Sequence, residues 1–160
     1  MRFSLRIPLL LLLCALVQVT VLFPAAFAPS IRLDGCDALM NGEVAQQILA
    51  LHGSLSIGVR FYIENGQGPS QIGLGVTMTD PNGRPWNDPA NDRWNVPIPS
   101  GYSTQDRYFS PDTNTYGPMP TKIQGSYYQL TCAIWTGKPG YSQWITSVTK
   151  SVLVIDPFGS

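Results

Sequence analysis

Side chains able to bind a ligand concentrate in one segment of the sequence, residues 84–125. The segment is dense in Pro, Asn, Asp and aromatic residues, and two arginines are interleaved with the rings; the residues concerned are Trp86, Arg93, Trp94, Tyr102, Arg107, Tyr108, Phe109 and Tyr116. Flat aromatic faces beside amides and carboxylates suit the binding of sugars. Trp, Tyr and Arg also dominate the binding energy of protein interfaces. The 84–125 segment therefore predicts a surface that binds either another protein or a carbohydrate.

Two other interpretations of this segment remain open. A long loop can pack its aromatic rings onto a sheet face, and only the rings left exposed would then bind a partner. Oxygen-bearing side chains at Asp80, Asn82, Asp88 and Asp92 could also surround a calcium ion. Their spacing does not match the calcium loop of an EF-hand. We therefore expect no cofactor, and calcium only as an aid to sugar binding.

The residues that an active site would need are few. His52 is the sole histidine, no nucleophile-elbow pattern lies near it, and it ends an expected helix whose free carbonyls it can bond. With no Cys-x-x-Cys pair and no second histidine, zinc lacks a ligand set. The aspartates cluster in turns, where they cap their own backbone more often than they perform acid–base chemistry. We expect a non-catalytic interaction or accessory subunit, with a carbohydrate-binding domain as the alternative and a hydrolase third.

The first 28 residues have the layout of a secretory signal. Two arginines precede an apolar stretch, residues 7–28, that contains no charged side chain, and Ala26-Phe27-Ala28 has the pattern of a cleavage site. Pro29 after that site and the length of the stretch leave a second interpretation, an uncleaved anchor able to cross about 30 Å of hydrocarbon. Both interpretations place residues 29–160 outside the cytoplasm, in an extracellular or periplasmic space.

The charge balance excludes one class of ligand. Of the 10 basic and 10 acidic residues, Arg2 and Arg6 lie in the leader, which leaves 8 basic against 10 acidic side chains and a net charge of −2. A nucleic-acid-binding surface needs clustered basic side chains, and this domain lacks them. The later apolar runs are interrupted every second residue, so a membrane contact would use residues 7–28 alone. The expected partner is another protein, in a membrane or cell-surface assembly if the anchor is retained.

Two cysteines, Cys36 and Cys132, lie in the exported part. In an oxidising compartment a pair with no third competitor is most simply a disulfide, which would tie the start of the domain to a strand near its end. Two separate buried thiols are the alternative. The length of the chain suits a single domain, over residues 29–160, behind a leader over residues 1–28.

Alternating hydrophobicity predicts the main strands. Apolar residues occupy every second position over 55–63 and again over 72–78, with a Gly-rich turn between the two runs. Such a pair is typical of a hairpin in an antiparallel sheet. The same period returns over 126–135, and a β-branched run over 144–155 follows a Gly/Pro turn as the closing strand.

Two segments carry weaker patterns. Residues 41–52, NGEVAQQILALH, place apolar residues at helical spacing, with Asn41 as a cap and Gly53 as a stop, and they predict a short helix. A first strand that contains a bulge is the competing interpretation. Within the 84–125 segment, short strands are expected at 94–99 and 107–109, since a compact domain rarely holds about forty residues without any.

These strands add up to an all-β fold, a two-layer antiparallel sandwich with one short helix and a long irregular excursion. The run GSYYQLTCAIWT, with the turn and strand after it, resembles the closing F and G strands of an immunoglobulin-like sandwich. The resemblance covers about 30 residues, and it places Tyr127 or Tyr128 near the tyrosine that this family uses at a strand corner. Cys36 precedes the first alternating strand, and no Trp follows it at the family's spacing. The resemblance therefore implies an architecture and no functional residues.

Overall fold

The computed structural model describes residues 30–159, which form two stacked β-sheets. This part of the chain has ten strands, a 3-10 turn at Pro89–Asn91 and one helical turn, α1, at Thr113–Tyr116. The strands in chain order are β1 (Ile31–Met40), β2 (Glu43–Val44), β3 (Gln47–Leu49), β4 (Ile57–Asn65), β5 (Gln71–Thr79), β6 (Pro85–Asn87), β7 (Arg93–Pro97), β8 (Gly101–Phe109), β9 (Ser126–Trp135) and β10 (Trp144–Ile155). Sheet A has the order β2-β1-β4-β8; sheet B has the order β3-β10-β9-β5-β6, with β7 also paired to β5. The predicted β-sandwich is confirmed.

The core lies between the inner faces of the two sheets because the long strands alternate buried and exposed residues. On β4, Ile57, Val59, Phe61 and Ile63 are at most 2% exposed. Strands β5 and β9 bury the same alternate positions that the sequence predicts. Each such side chain contributes about 1.5–3 kcal/mol when it leaves water. The inner faces thus fix which residues of each strand remain for a ligand on the outside.

Two contacts tie β9 to other parts of the domain. The disulfide Cys36–Cys132 is present and links β1 of sheet A to β9 of sheet B. The hydroxyl of Tyr128 donates a hydrogen bond to the carbonyl of Pro120 at 2.8 Å. This bond has the form of the corner contact that the immunoglobulin-like resemblance implies, a tyrosine early in a strand that reaches a carbonyl upstream.

Residues 41–52 do not form the predicted helix. Asn41 and Gly42 have φ angles of 54° and 83° and turn the chain back, so that β2 pairs with β1 at the edge of sheet A. The chain then crosses to sheet B, where β3 lies parallel to the end of β10. Ile48 is buried between exposed neighbours, which is the period of a strand. The competing interpretation, a strand with a bulge, is closer to the structure. The segment forms two short strands, and the chain crosses from one sheet to the other between them.

Strands β4 and β5 do not form the predicted hairpin either. β4 pairs with β1 and β8 in sheet A, whereas β5 pairs with β6, β7 and β9 in sheet B. The connection is pinned by Asn65, whose amide donates to the carbonyls of Pro69 and Pro99 and whose oxygen accepts from the Gly68 amide. Two apolar strand faces can bury each other across a sandwich as well as side by side, and the pattern alone does not distinguish the two.

The 84–125 segment is more regular than its composition indicates. It contains β6, β7, β8 and α1, and the short strands expected at 94–99 and 107–109 overlap β7 and β8. Strand β8 is nine residues long; its period is hidden because Ser103, Gln105 and Arg107 occupy inward positions usually held by apolar residues. The signal or anchor predicted for residues 1–28 lies outside the described residues. Within residues 30–159, no helix is long and apolar enough to cross a membrane.

Candidate functional site

A row of hydroxyl and amide groups crosses the outer face of sheet B. Thr149, Thr131, Thr77 and Asn87 lie directly opposite one another on the adjacent strands β10, β9, β5 and β6. The hydroxyls of Thr131 and Thr149 are 2.9 Å apart, and the Thr77 hydroxyl donates to the side-chain oxygen of Asn87 at 2.6 Å. Because side chains on neighbouring strands align in register, all four groups point away from the core.

Part of this row forms the floor of a groove of about 320 Å³. The rest of the floor is low, because Gly75 and Ala133 are the opposed residues of the next row. On one side rise Trp135 and Pro139, and on the other the segment from Asn87 to Asp92. The volume is at the lower end of the range for small-molecule sites, about 300–1,000 Å³. The groove can therefore hold a small polar ligand with one flat face.

The first wall consists of Trp135, the last residue of β9, and the β9–β10 loop, residues 136–143, which folds over β5. A side chain at position 73 would overlap the carbonyl oxygen of Gly137, and one at position 75 would come within 3.2 Å of Pro139 and of Trp135 Nε1. Glycine at these two positions of β5 is what allows the loop to lie so close. The sequence GLG in the middle of a strand thus sets the position of the first wall.

The same loop is held rigidly by its own hydrogen bonds. The amides of Thr136 and Gly137 donate to the Gln143 carbonyl and the Ser142 hydroxyl at 2.9 and 3.0 Å. The ammonium of Lys138 lies over two rings, 4.5 Å from the centroid of Tyr141 and 5.3 Å from that of Trp94. Such cation–π contacts add roughly 0.5–1 kcal/mol at exposed sites. Trp94 thereby links β7 to the first wall.

The second wall, residues 87–92, is held in shape by hydrogen bonds to the side-chain carboxylate of Asp88. One oxygen of Asp88 accepts hydrogen bonds at 2.6 Å from the side-chain amide of Asn91 and from the backbone amide of Ser110. Pro89 starts the 3-10 turn, where its missing N–H is not needed. One oxygen of the Asp88 carboxylate thus holds the 3-10 turn and the start of the segment after β8 together.

Arg107 fastens the second wall to the opposite sheet. Its side chain is buried, and it donates to the carbonyls of Asp88 and Asn91 at 2.5 and 2.9 Å and to the carboxylate of Asp92 at 2.6 Å. Burial lowers the pKa of the guanidinium and raises the pKa of the Asp92 carboxyl, against the attraction between the two charges. Its Nη1 atom has no partner among the described residues. Arg107 thus positions the wall from inside the sandwich.

Three of the eight residues predicted to bind a partner are buried: Trp86, Phe109 and Arg107. The Trp86 indole donates to Asp80 at 3.2 Å, and the guanidinium of Arg84 stacks on its ring at 4.3 Å. Phe109 belongs to the core. These side chains organise the 84–125 segment and present little surface of their own.

The other five predicted residues are exposed, but they lie on three different surfaces. Tyr102 and Tyr108 stand on the outer face of sheet A, where Tyr108 bonds to Ser56. Arg93 and Trp94 are on β7, beside sheet B, and Arg93 donates to the carbonyl of Asp106 at 2.6 Å. Tyr116 is on α1 and lines a cleft of about 600 Å³ together with Trp86. The structure does not bring the eight residues together.

The weak calcium candidates are engaged by protein donors. Asp80 accepts from the amides of Asn82 and Arg84 and from the Trp86 indole, as expected for a carboxylate that closes a turn. Asp88 and Asp92 accept the hydrogen bonds that hold the second wall. Within residues 30–159, no three His, Cys, Asp or Glu side chains converge so as to hold a metal ion.

His52 lies in a turn rather than at a helix end. Its φ is 54° and its ring stacks on Phe158 with centroids 4.5 Å apart. Beside it, the buried carboxylate of Asp156 accepts hydrogen bonds from the amides of His52 and Gly53 and from the Thr121 hydroxyl. The histidine is part of a structural cluster around that carboxylate.

The groove residues were not singled out in the sequence. Thr77, Thr131 and Trp135 fall on the outward positions of predicted strands, but nothing in the pattern shows that they meet. Their alignment depends on which strands are neighbours and in which register. The available signal was the unusual pair Gly73 and Gly75 in a strand, which indicates a close approach of other backbone.

No protein-family model matches the chain, and no curated protein matches it in sequence. Among solved structures, it is similar to the C-terminal domain of Wzt, with a TM-score of 0.52 at 10% identity over 80% of this chain and 74% of that one. It is also similar to parts of a β-glucuronidase from glycoside hydrolase family 2, with a TM-score of 0.45 at 18% identity over 73% of this chain, and of a β-glucosidase from Listeria innocua, with 0.42 at 12% over 79%. The chain spans only 11–16% of the glycosidase chains. The likeness to the Wzt domain shows a shared sandwich fold.

Proposed function

We propose that this protein is a non-catalytic carbohydrate-binding domain whose site is the groove on the outer face of sheet B. The observation that carries the proposal is the combination of an indole wall, Trp135, with a floor of aligned hydroxyl and amide groups. Sugars offer an apolar ring face and a rim of hydroxyls, so they need both kinds of contact at once. An aromatic wall supplies the first and the Thr/Asn row supplies the second.

The walls support this proposal because they are held before any ligand arrives. The first wall is fixed by its close approach to Gly73 and Gly75, and the second by Arg107. A site that is ordered in advance loses little conformational entropy on binding. Asp92 at the groove adds a carboxylate acceptor for sugar hydroxyls.

An exported location suits such a domain. The Cys36–Cys132 disulfide is of the kind that persists in oxidising compartments. Together with the predicted leader over residues 1–28, it supports delivery to a space where glycans are displayed. The N-terminal mass of the mature protein tests this: a start near Pro29 means a released domain, and a start at Met1 means an anchored one.

A glycan array tests the proposed site directly. The wild-type domain is expected to give signals on a restricted set of sugars, and Trp135→Ala is expected to reduce them about tenfold or more, about 1.4 kcal/mol. Tyr108→Ala removes an exposed ring from the outer face of sheet A and serves as the control. Signals that persist unchanged in Trp135→Ala would place the site elsewhere. No sugar signal at all would refute the function. A parallel array with chelator is expected to be unchanged, because the carboxylates near the groove bond to protein groups.

We propose no hydrolysis at this site. A glycosidase needs two carboxyl groups free to face the scissile bond. Asp88 and Asp92 are the acidic residues at the groove, and both are bonded to protein donors. Incubation of the purified domain with the sugars it binds is expected to leave them intact by mass spectrometry. Product release that disappears in Asp92→Asn would make the domain an enzyme.

A protein-contact role is the second candidate, favoured by the cleft lined by Trp86 and Tyr116. At about 600 Å³ it exceeds the groove, and its lining combines Arg84, Trp86 and Tyr116 with Pro, Ala, Asn and Asp side chains. Trp, Tyr and Arg are the residue types enriched at binding hot spots. Cross-linking in the native membrane or secretion fraction, with Tyr116→Ala as the test variant and Tyr127→Ala as an exposed control, would reveal a partner that uses this cleft.

A further inference from the structure

The hydroxyl row extends beyond the groove. Thr77, Thr131 and Asn87 line the groove, whereas Thr149 stands outside it on β10. Neighbouring strands lie about 4.8 Å apart, so the four-strand row is about 14 Å long. Among the described residues, no strand pairs with the outer edge of β10 at this point, since β3 pairs only with Leu153–Ile155. Beyond the edge of the strand, Thr149 borders a cleft of about 510 Å³ that Asp37, Tyr62 and Tyr102 of sheet A also line.

Each pair in the row keeps hydrogen-bonding capacity for a ligand. A hydroxyl offers one donor and two acceptors, and an amide offers two donors and one oxygen. The bond between Thr131 and Thr149 leaves one hydroxyl proton free, and the bond from Thr77 to Asn87 leaves the amide protons of Asn87. The internal hydrogen bonds also hold the hydroxyls in place, so both halves of the row are ordered before a ligand binds.

An exposed indole lies on the same outer part of the face. Trp144 is opposite Trp135 in the β9–β10 register and is 53% exposed. Ser147, also exposed, stands between Trp144 and Thr149 on β10. Lys150 is turned to the other side of the strand, where its charge is paired with that of Asp37 on β1. The outer part of the face thus repeats the indole and the hydroxyls of the groove, without the carboxylates of the second wall.

We propose, on the basis of the carbohydrate-binding function above, that the ligand is an uncharged oligosaccharide that crosses the strands from the groove onto β10. One sugar unit occupies the groove against Trp135. The following units lie over Thr149 and stack on Trp144. The domain therefore recognises a stretch of glycan chain rather than a single sugar.

The test measures affinity against chain length on immobilised linear gluco-, manno- and galacto-oligosaccharides of about one to six units. Wild-type affinity for the recognised series should rise with length about tenfold or more before it levels off. Thr149→Val and Trp144→Ala should remove most of that rise while leaving the shortest recognised sugar within about twofold. Thr104→Val changes an exposed strand threonine on the outer face of sheet A and should change nothing. Thermal unfolding of each variant confirms that the sandwich is intact.

The outcomes separate the two proposals. No binding to any oligosaccharide of any length by the wild type overturns both. Binding that is already complete with one unit overturns the extended site and leaves the groove standing. An equal loss at every length in folded Thr149→Val and Trp144→Ala does the same, because it would mean that both residues act within the first subsite. Loss confined to the longer chains supports the extended site.

Discussion

At the scale of single residues, two buried charges hold the parts of the molecule that lack regular structure. Asp156 follows the last strand and gathers the amides of His52, Gly53 and Phe158 together with the Thr121 hydroxyl. Burial by itself raises the pKa of Asp156, but these hydrogen bonds outweigh it and lower the pKa to about 2.

This carboxylate makes stability depend on pH in the acidic range. A folded-state pKa below the unfolded one stabilises the fold above the unfolded value, near 3.8, and that contribution is lost as the pH falls toward about 2. We expect Asp156→Asn to lower the melting temperature at pH 7, and the gap from wild type to narrow between about pH 4 and pH 2. The exposed Glu43→Gln variant is the control. A gap that is constant across this range would contradict the assignment.

Arg107 is the second buried charge, and its partner is Asp92. Removing one member of a buried ion pair leaves an uncompensated charge and costs about 3–5 kcal/mol, whereas removing both is often less harmful. We expect Arg107→Met to be more destabilising than the double variant Arg107→Met with Asp92→Asn. Urea unfolding of both single variants and the double variant measures this. A loss in the double variant equal to the sum of the two single losses would show that the two side chains are not coupled.

The Arg107 variants also separate positioning from stability. Arg107→Lys keeps the charge but loses the forked donor that bonds Asp92 and two carbonyls at once. We expect it to weaken sugar binding at the groove, since the second wall would be less well held, while the exposed Arg93→Lys has little effect. Undiminished affinity in a folded Arg107→Lys variant would mean that the second wall does not contribute.

At the scale of elements, the β9–β10 loop depends on the absence of side chains in β5. Gly73→Ala would place a methyl group against the Gly137 carbonyl, so the loop must lift away from the strand. We expect a loss of stability, about 1–3 kcal/mol for such overpacking, and a loss of groove binding. Gly35→Ala in β1 is the matched control, because its new methyl would meet only Tyr62 at 3.9 Å. Titration of the recognised sugar and urea unfolding check both effects.

At the scale of the whole molecule, the disulfide links the two sheets whose inner faces form the hydrophobic core. Cys36 and Cys132 are 96 positions apart, so the bond restricts a large loop of the unfolded chain. Loss of such a bond costs about 2–5 kcal/mol. We expect Cys36→Ala with Cys132→Ala to unfold at lower urea concentration than the oxidised wild type, and reduction of the wild type to have a similar effect. Identical midpoints would mean that the core alone sets the stability.

The surface of the molecule is weakly charged, and its two faces differ. The outer face of sheet A carries ion pairs, such as Arg60 with Asp106 at 2.8 Å. Such surface pairs add at most about 1 kcal/mol. The outer face of sheet B carries the uncharged row on which the proposed function rests. The charged side chains of this surface thus lie on sheet A, and the hydroxyl and amide row lies on sheet B.

The sequence predicts several individual strands well, but it predicts poorly how those strands are arranged in the two sheets. The strands predicted over 55–63, 72–78, 126–135 and 144–155 are present, because a strand pattern depends only on residues close together in the chain. The disulfide was predictable because the exported part holds two cysteines and no third competitor. The helix at 41–52 was a wrong prediction, since a few apolar residues at helical spacing also fit two short strands in different sheets. Strand β8 was only partly predicted because Arg107 occupies an inward position.

The sequence by itself determined which residues face inward on β4, β5 and β9, because alternation is a property of neighbouring residues along the chain. It also determined that a disulfide was available. Only the tertiary structure decided which strands are neighbours, and with that the alignment of Thr77, Thr131 and Thr149 from three distant segments. The physical reason is that a side chain's direction is set by its own strand, whereas a binding surface is set by register between strands, which depends on how both sheets bury their inner faces together.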